Sequence, residues 1–396
     1  MNSNQVVTVG DVLCRRVIRS LVHLAASIGA LGAHGVVELS WAPNSRPPAR
    51  GAVATVRGPL HDGTVPPPLT ASLREFLLDT DVALRWQVER DLLESPREVW
   101  ESTRDRIATE GFGAELLAHQ DPDGQWAGGA FFPQGFDFDS PEAAEGAGQP
   151  WTATTWSLNA LRDWGLDAAV LEGTAAALAA HSRWEYNDRP YWEGEVDCCI
   201  NASTLANGAW LGADVSAIAE WFPEHHMTDG GWNGEWVEGS TRSSFDSTLN
   251  SLKGILYYET VTGRTDRLSA ARHRGEEYLL RRRLLYSLSR GEILGPRTTR
   301  LAYPFRSFYS ALNAVDYFRS ASLFDGTAPD LRVADAIESV RDARQPDGTW
   351  LQQRRHPGWV WFDVDVDVDE PSPWLTFFAT RVLSWWDEAS GPERRA

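Results

Sequence analysis

The sequence predicts an all-α protein, a single (α/α)6 toroid of six helical hairpins preceded by a poorly ordered N-terminal extension. Three observations predict it. From Thr70 onward apolar residues recur at helical spacing, segment after segment, with almost no period-two alternation. The segments alternate between two compositions, one rich in Ala, Leu and charge, the other opening with small and hydroxylated residues beside aromatics. A turn of fixed appearance recurs between them: DPDGQWAGG at 121–129, TDGGWNGEW at 228–236 and QPDGTW at 345–350.

The extension is residues 1–68. Six arginines stand there against Asp11, Glu38 and Asp62, a net of +3 in a chain whose overall charge is −18. The segment ends in Pro66, Pro67 and Pro68, a linker-like run, and reads as a flexible tail or as the product of a translation start placed too far upstream. The stretch Arg15 to Val37 resembles a signal peptide weakly, with His and Gly interrupting its apolar run. The domain is expected over 69–390.

The helical segments then follow in order. TASLREFLLDTDVALRWQVERDLLES reads as one helix stopped by Ser95 and Pro96. Further segments cover 98–109, 112–120, 151–164, 167–182, 197–211, 214–223, 245–261, 266–286, 307–319, 330–344 and 372–388. DAAVLEGTAAALAAH and DLRVADAIESVRDA belong to the charged set; PWTATTWSLNAL, CCINASTLANGAW, SSFDSTLNSLKGIL, RSFYSALNAVDYF and SPWLTFFATRVL belong to the small-and-aromatic set. Twelve helices make six pairs. Closing them into a ring puts the Ser/Thr-rich set inside and removes the need for the capping repeats of an open solenoid. In the turns, Asp-Gly steps supply positive φ and the following Trp covers helix ends.

Composition excludes some functions. The acidic balance, about −21 beyond the tail, argues against nucleic-acid binding. Three cysteines (Cys14, Cys198, Cys199) cannot form a disulfide framework, so the expected setting is reducing and cytoplasmic. No apolar run is long enough for a transmembrane segment, with peripheral membrane contact left open. The 19 tryptophans point to an aromatic core or an aromatic-lined cavity.

The DPDGQW, DGGW and QPDGTW turns resemble those of the squalene–hopene cyclase and protein prenyltransferase β-subunit superfamily, over about residues 70 to 390. The likeness is nearest to the short, single-domain "squalene cyclase-like" proteins of actinobacteria. It implies an (α/α)6 toroid with a central aromatic cavity that takes an apolar isoprenoid. Class II terpene cyclases of this superfamily protonate an alkene or epoxide with the middle acid of a DxDD motif. Asp367-Val368-Asp369-Glu370 resembles that motif, which makes Asp369 the proton donor and Asp367 and Glu370 its supports. The departure is that Pro371 and Pro373 follow where the family has a helix. The simpler reading is a solvated acidic loop, as for Asp137 and Asp139 in GFDFDS.

The prenyltransferase branch implies zinc. VDCCINA resembles its D-x-C element through Asp197 and Cys199, and Asp246 stands where the family has its histidine, so Asp197, Cys199 and Asp246 form the candidate metal set. The simpler reading of Cys198 and Cys199 is packing. Candidate substrate-binding rings on inner segments are Trp151, Trp156, Trp210, Phe245, Phe308, Tyr309 and Trp374, since aromatic faces stabilise a carbocation. Arg300 and Arg306, flanking LAYPF, are candidates to meet a diphosphate. Two further readings stay open: a carbohydrate-active toroid working with paired carboxylates, and a toroid that binds lipid or protein without catalysis.

Overall fold

The computed structural model describes residues 69–143 and 148–390; the extension expected over residues 1–68 lies outside them. Fourteen α-helices are defined among the described residues: α1 Ala71–Leu78, α2 Val82–Asp91, α3 Arg97–Asp105, α4 Gly111–Leu117, α5 Thr154–Trp164, α6 Thr174–His181, α7 Cys198–Leu211, α8 Ser216–Glu224, α9 Phe245–Thr262, α10 Asp266–Leu280, α11 Pro296–Thr299, α12 Ala311–Asp325, α13 Ala334–Asp342 and α14 Pro373–Ser390. Short 3-10 turns and isolated bridge pairs complete the regular structure of the described residues, so the all-α expectation holds.

Six helices form an inner ring, α2, α5, α7, α9, α12 and α14, and polar side chains join its seams. Trp86 Nε1 on α2 donates to the Trp164 carbonyl of α5 at 2.7 Å. Asn159 on α5 donates to Ser203 on α7 at 3.1 Å. Between α7 and α9 the backbones nearly touch: a Cβ on Gly254 would lie 2.4 Å from the Ala202 carbonyl oxygen, so only glycine fits. Lys253 on α9 donates to Asn313 on α12 at 3.0 Å. Arg381 on α14 binds Asp316 of α12 at 2.7 Å and Asp91 of α2 at 3.0 Å, which closes the circle.

Outside stand α1, α4, α6, α8, α10 and α13, with α3 an extra piece packed on α2. Against the twelve helices expected from the sequence, fourteen are defined among the described residues, and the boundaries differ. The segment 70–95 is two helices, because Asp81 caps α2 by accepting from Ala83 N at 2.8 Å and also holds Phe112 N at 2.9 Å. The segments 98–109 and 112–120 become α3 and α4, of which only α4 belongs to the outer set. The helix expected to 286 stops at Leu280, since Arg283 and Leu284 adopt positive φ. The one expected from 307 starts at Ala311, where Ser310 caps it by accepting from Asn313 N.

The recurring turns share one wiring. In each, the tryptophan indole donates to the outer-helix carbonyl ten residues earlier: Trp126 to Leu116 (2.8 Å), Trp232 to Phe222 (3.1 Å) and Trp350 to Val340 (2.7 Å). In each, the same tryptophan's backbone N–H donates to a threonine hydroxyl at the start of the next inner helix: Thr154, Thr248 and Thr376. All three indoles are buried. The motif thus satisfies a free carbonyl at a helix C-terminus and docks the following helix in one step.

Candidate functional site

The inner ring encloses a cavity of about 310 Å³, and all six inner helices contribute to its wall. They do so through successive turns of one face: Trp156, Asn159 and Asp163 on α5; Ala202 and Ala206 on α7; Asn250, Lys253 and Tyr257 on α9; Phe378 and Arg381 on α14. The loops 303–306 and 360–364 complete the lining with Tyr303, Phe305, Trp361, Phe362 and Val364. Two indole N–H groups are spent on holding this second loop down. Trp151 donates to the Pro357 carbonyl (2.9 Å) and Trp361 to the Thr152 carbonyl (3.1 Å), leaving aromatic faces for the cavity.

The wall also carries charge. Arg162 is paired with Asp163 (3.0 Å) and Asp316 with Arg381. Burial pushes the Arg306 guanidinium down to about 10, and it lies 4.9 Å over the Trp151 ring.

A second cavity of about 140 Å³ adjoins the first, sharing Trp156, Asn159, Ser203, Asn250 and Arg306 with it. Beside it Arg297, Arg300, Arg354 and His356 line a smaller recess with Phe308 and Tyr309. Burial, then the charges of Arg297 and Arg300, holds the Arg354 guanidinium below its ordinary range. Burial, with Arg354, Arg306 and Arg297, pushes the His356 imidazole down to about 3, so the ring is neutral where it stacks on Phe308 at 4.2 Å. The carboxylate bonded to this cluster is Asp246, to Arg297 at 3.3 Å, and Arg297 Nη1 is buried with no partner among the described residues. This is an excess of fixed positive charge at a cavity edge.

The expected substrate-binding rings divide. Trp151 and Trp156 line the central cavity, and Phe308 lines the second. Tyr309 is buried, its hydroxyl bound to the Leu284 carbonyl at 2.6 Å, and reaches only the arginine recess. Phe245 is core, packed edge-on to Tyr278 and Tyr309. Trp210 packs half-buried against the core and is not part of the cavity wall. Trp374 stands one layer back, stacked on Tyr303 at 4.4 Å.

The acid motif requires correction. Asp367, Asp369 and Glu370 lie on an exposed turn. Asp367 is 79% exposed and bridges to Arg355, and Asp369 has φ +69°. An acid that must stay protonated and shielded from water cannot do so there. Along the same run one aspartate turns inward. Asp365 accepts from Ser372 Oγ at 2.6 Å, its Oδ1 is buried without a hydrogen-bond partner, and burial pushes its carboxyl up to about 6. It follows Val364 of the cavity wall in sequence, and its charge acts on Tyr303 of the same wall.

The expected metal set is brought only partly together. Asp197 and Cys199 approach within 4.8 Å, joined by Cys198. Asp246 lines the same cavity but is bonded to Arg297 and to the Tyr309 N–H (2.8 Å). Asp197 caps α7, accepting from Cys199 N at 2.6 Å. Burial raises the Asp197 carboxyl, and the Cys198 side chain, then burial, raises the Cys199 thiol. Of the three expected ligands, Asp197 and Cys199 therefore stand together, while Asp246 is engaged by Arg297 and the Tyr309 N–H.

Sequence reasoning missed Lys253, Tyr257, Phe362, Phe378, Arg162 and Arg381. A signal for most of them was present, because on α5, α9 and α14 they follow the identified inner residues at steps of three or four.

No family model and no curated protein matches the chain. Among solved structures it is similar to the type II terpene cyclase MstE from Scytonema in its apo form, with a TM-score of 0.37, 16% identity, and coverage of 78% of this chain and 87% of that one. It is also similar to a variant of that cyclase in complex with geranylgeranyl dihydroxybenzoate, with a TM-score of 0.35, 16% identity and the same coverage. At that level the likeness carries no weight for chemistry, and the functional case rests on the residues themselves.

Proposed function

We propose that the chain is a terpene-cyclase-like protein that binds an isoprenoid bearing an anionic head. The hydrocarbon lies among the rings of the central cavity, and the head meets Arg297, Arg300, Arg306 and Arg354. What carries this reading is the adjacency of an aromatic cavity to a cluster of four arginines, Arg297 of which is bonded to Asp246 and keeps a buried Nη1 without a hydrogen-bond partner. Apolar wall and buried cation select opposite ends of one molecule, and each arginine-to-phosphate bond is charge-assisted. The cavity volume, at the low end of the range of about 300–1,000 Å³ usual for small-ligand sites, favours a short chain over one of squalene size.

Titration with isoprenyl diphosphates of ten, fifteen and twenty carbons, followed by tryptophan fluorescence, tests it. Saturable, salt-sensitive binding is expected. Arg354→Ala is expected to weaken it about 10- to 100-fold. Undiminished binding by the variant would place the head elsewhere.

A second step is favoured by Asp365, whose carboxyl is buried, raised to about 6 and half unpartnered. It supports alkene protonation, with Asp365 in the role the sequence motif gives to Asp369. The raised value has a stability consequence of definite sign. A carboxyl raised in the folded state contributes most below its unfolded value, near 3.8, and loses that contribution as pH rises through about 6. Asp365→Asn is therefore expected to stabilise the protein at pH 7.5, on the order of 1–3 kcal/mol, and to flatten that pH dependence. The same variant is expected to abolish any conversion of a bound isoprenoid, whereas Asp369→Asn leaves it unchanged. Product analysis of both variants, with urea unfolding at pH 5 and pH 7.5, checks the pair; full conversion by Asp365→Asn would remove the acid.

A further inference from the structure

Lysine occurs once in this chain, at Lys253, while every other cationic side chain apart from histidine is arginine. The fold places that one lysine in the wall of the central cavity, on α9. Its Nζ donates to Asn313 Oδ1 at 3.0 Å and lies 5.6 Å from the centroid of the Phe305 ring. Among the described residues no carboxylate pairs with it. The acids that face it are already engaged: Asp163 of α5 with Arg162, and Asp316 of α12 with Arg381. Arg162 of α5 and Arg381 of α14 face it as well.

An ammonium held in an apolar cavity without its own counter-ion shifts toward the neutral amine. Burial does lower the Lys253 amine from its ordinary range; Asp163 and Asp316 oppose this, and Arg162 and Arg381 add to it. Arginine cannot lose its proton under any ordinary condition, whereas lysine can, and a neutral primary amine in an apolar pocket is a nucleophile. A bridge from α9 to α12 alone would be served equally by a longer, permanently charged arginine, the residue this chain uses elsewhere.

We propose that Lys253 captures an apolar aldehyde or ketone as an imine inside the central cavity. The Nζ lone pair forms a bond to the carbonyl carbon while the C=O π pair moves to oxygen. Both amine hydrogens leave with that oxygen as water, and a C=N bond remains. No oxidant or reductant is needed. Asn313, accepting one Nζ hydrogen, orients the lone pair. The proposal rests on the reading of this cavity as a pocket for apolar molecules, and it names a carbonyl class of ligand for it.

Reductive trapping tests it. The full chain is incubated with farnesal and sodium cyanoborohydride, and the adduct is mapped by peptide mass spectrometry. The α-amine is the other primary amine and serves as the internal reference. Binding of farnesol, which cannot form an imine, is followed in parallel by tryptophan fluorescence. The expected result is one adduct at Lys253, formed at least tenfold faster than at the α-amine. That advantage is lost in urea, and the Lys253→Arg chain gives no such adduct. Labelling of Lys253 no faster than the α-amine, with farnesol bound, overturns the proposal and leaves the cavity reading standing. Failure of farnesol to bind, with Lys253 unlabelled, removes both. If Lys253→Arg does not fold, the comparison of two amines within one native molecule still decides.

Discussion

Trp232→Ala is expected to lower the unfolding free energy by about 3–5 kcal/mol. The indole is fully buried, pressed against Gly275, where a Cβ would come within 2.5 Å of the ring. Truncation opens a cavity between α8, α9 and α10. It also leaves the Phe222 carbonyl at the end of α8 without the indole N–H that satisfies it at 3.1 Å. Trp232→Phe separates the two losses. Most of the apolar volume is kept and the hydrogen bond is lost, so about 1–3 kcal/mol is expected. Urea and thermal midpoints of both variants check this. Equal costs for Ala and Phe would show that the hydrogen bond, not the volume, dominates. Trp126 and Trp350 share the wiring and are expected to behave alike.

Arg272→Ala is expected to cost a similar amount, about 3–5 kcal/mol. Arg272 on α10 is wholly buried and ties three helices together. It reaches Glu259 of α9 at 2.7 Å, Asp325 at the end of α12 at 2.7 Å, and Glu276 of its own helix at 2.7 Å. Tyr317 donates to Glu276 at 2.6 Å and extends the network. Removing the arginine strands Glu259, whose side chain is also wholly buried. Glu276 and Asp325 are partly exposed and regain water. The double variant Arg272→Met with Glu259→Leu is therefore expected to recover much of the loss, because it removes the stranded charge and not only its partner. A double variant no more stable than Arg272→Ala would contradict that account.

The fold was legible because its signals are local. The Asp-Gly-Trp turns are contiguous in sequence, and one wiring serves all three. The small-residue composition of α7 and α9 follows from the close approach at Gly254. The break inside 70–95 was harder to read, because Asp79, Thr80 and Asp81 include no glycine or proline; Asp81 caps α2 locally through Ala83 N, and its second bond, to Phe112 N some thirty residues away, is tertiary.

The site was legible only in part, for a tertiary reason. The run of alternating aspartates looks uniform, yet Asp363 and Asp367 face water while Asp365 turns in toward Ser372. A motif match selects residues by spacing and cannot see burial, so it chose the exposed acids. The arginine recess is assembled from residues 297–306 and 354–356, which only the folded ring brings together. Lys253 was visible in the sequence as the single lysine, and its spacing on α9 put it on the inner face.

The proposed ligand is an isoprenoid lying in the ring with its anionic head among the arginines. A crystal structure of the protein grown with farnesyl diphosphate tests this most directly. The hydrocarbon is expected against Trp156, Tyr257 and Phe378, with the diphosphate bonded to Arg297 and Arg354. A hydrocarbon lying outside the ring, or a head bound away from those arginines, would contradict it.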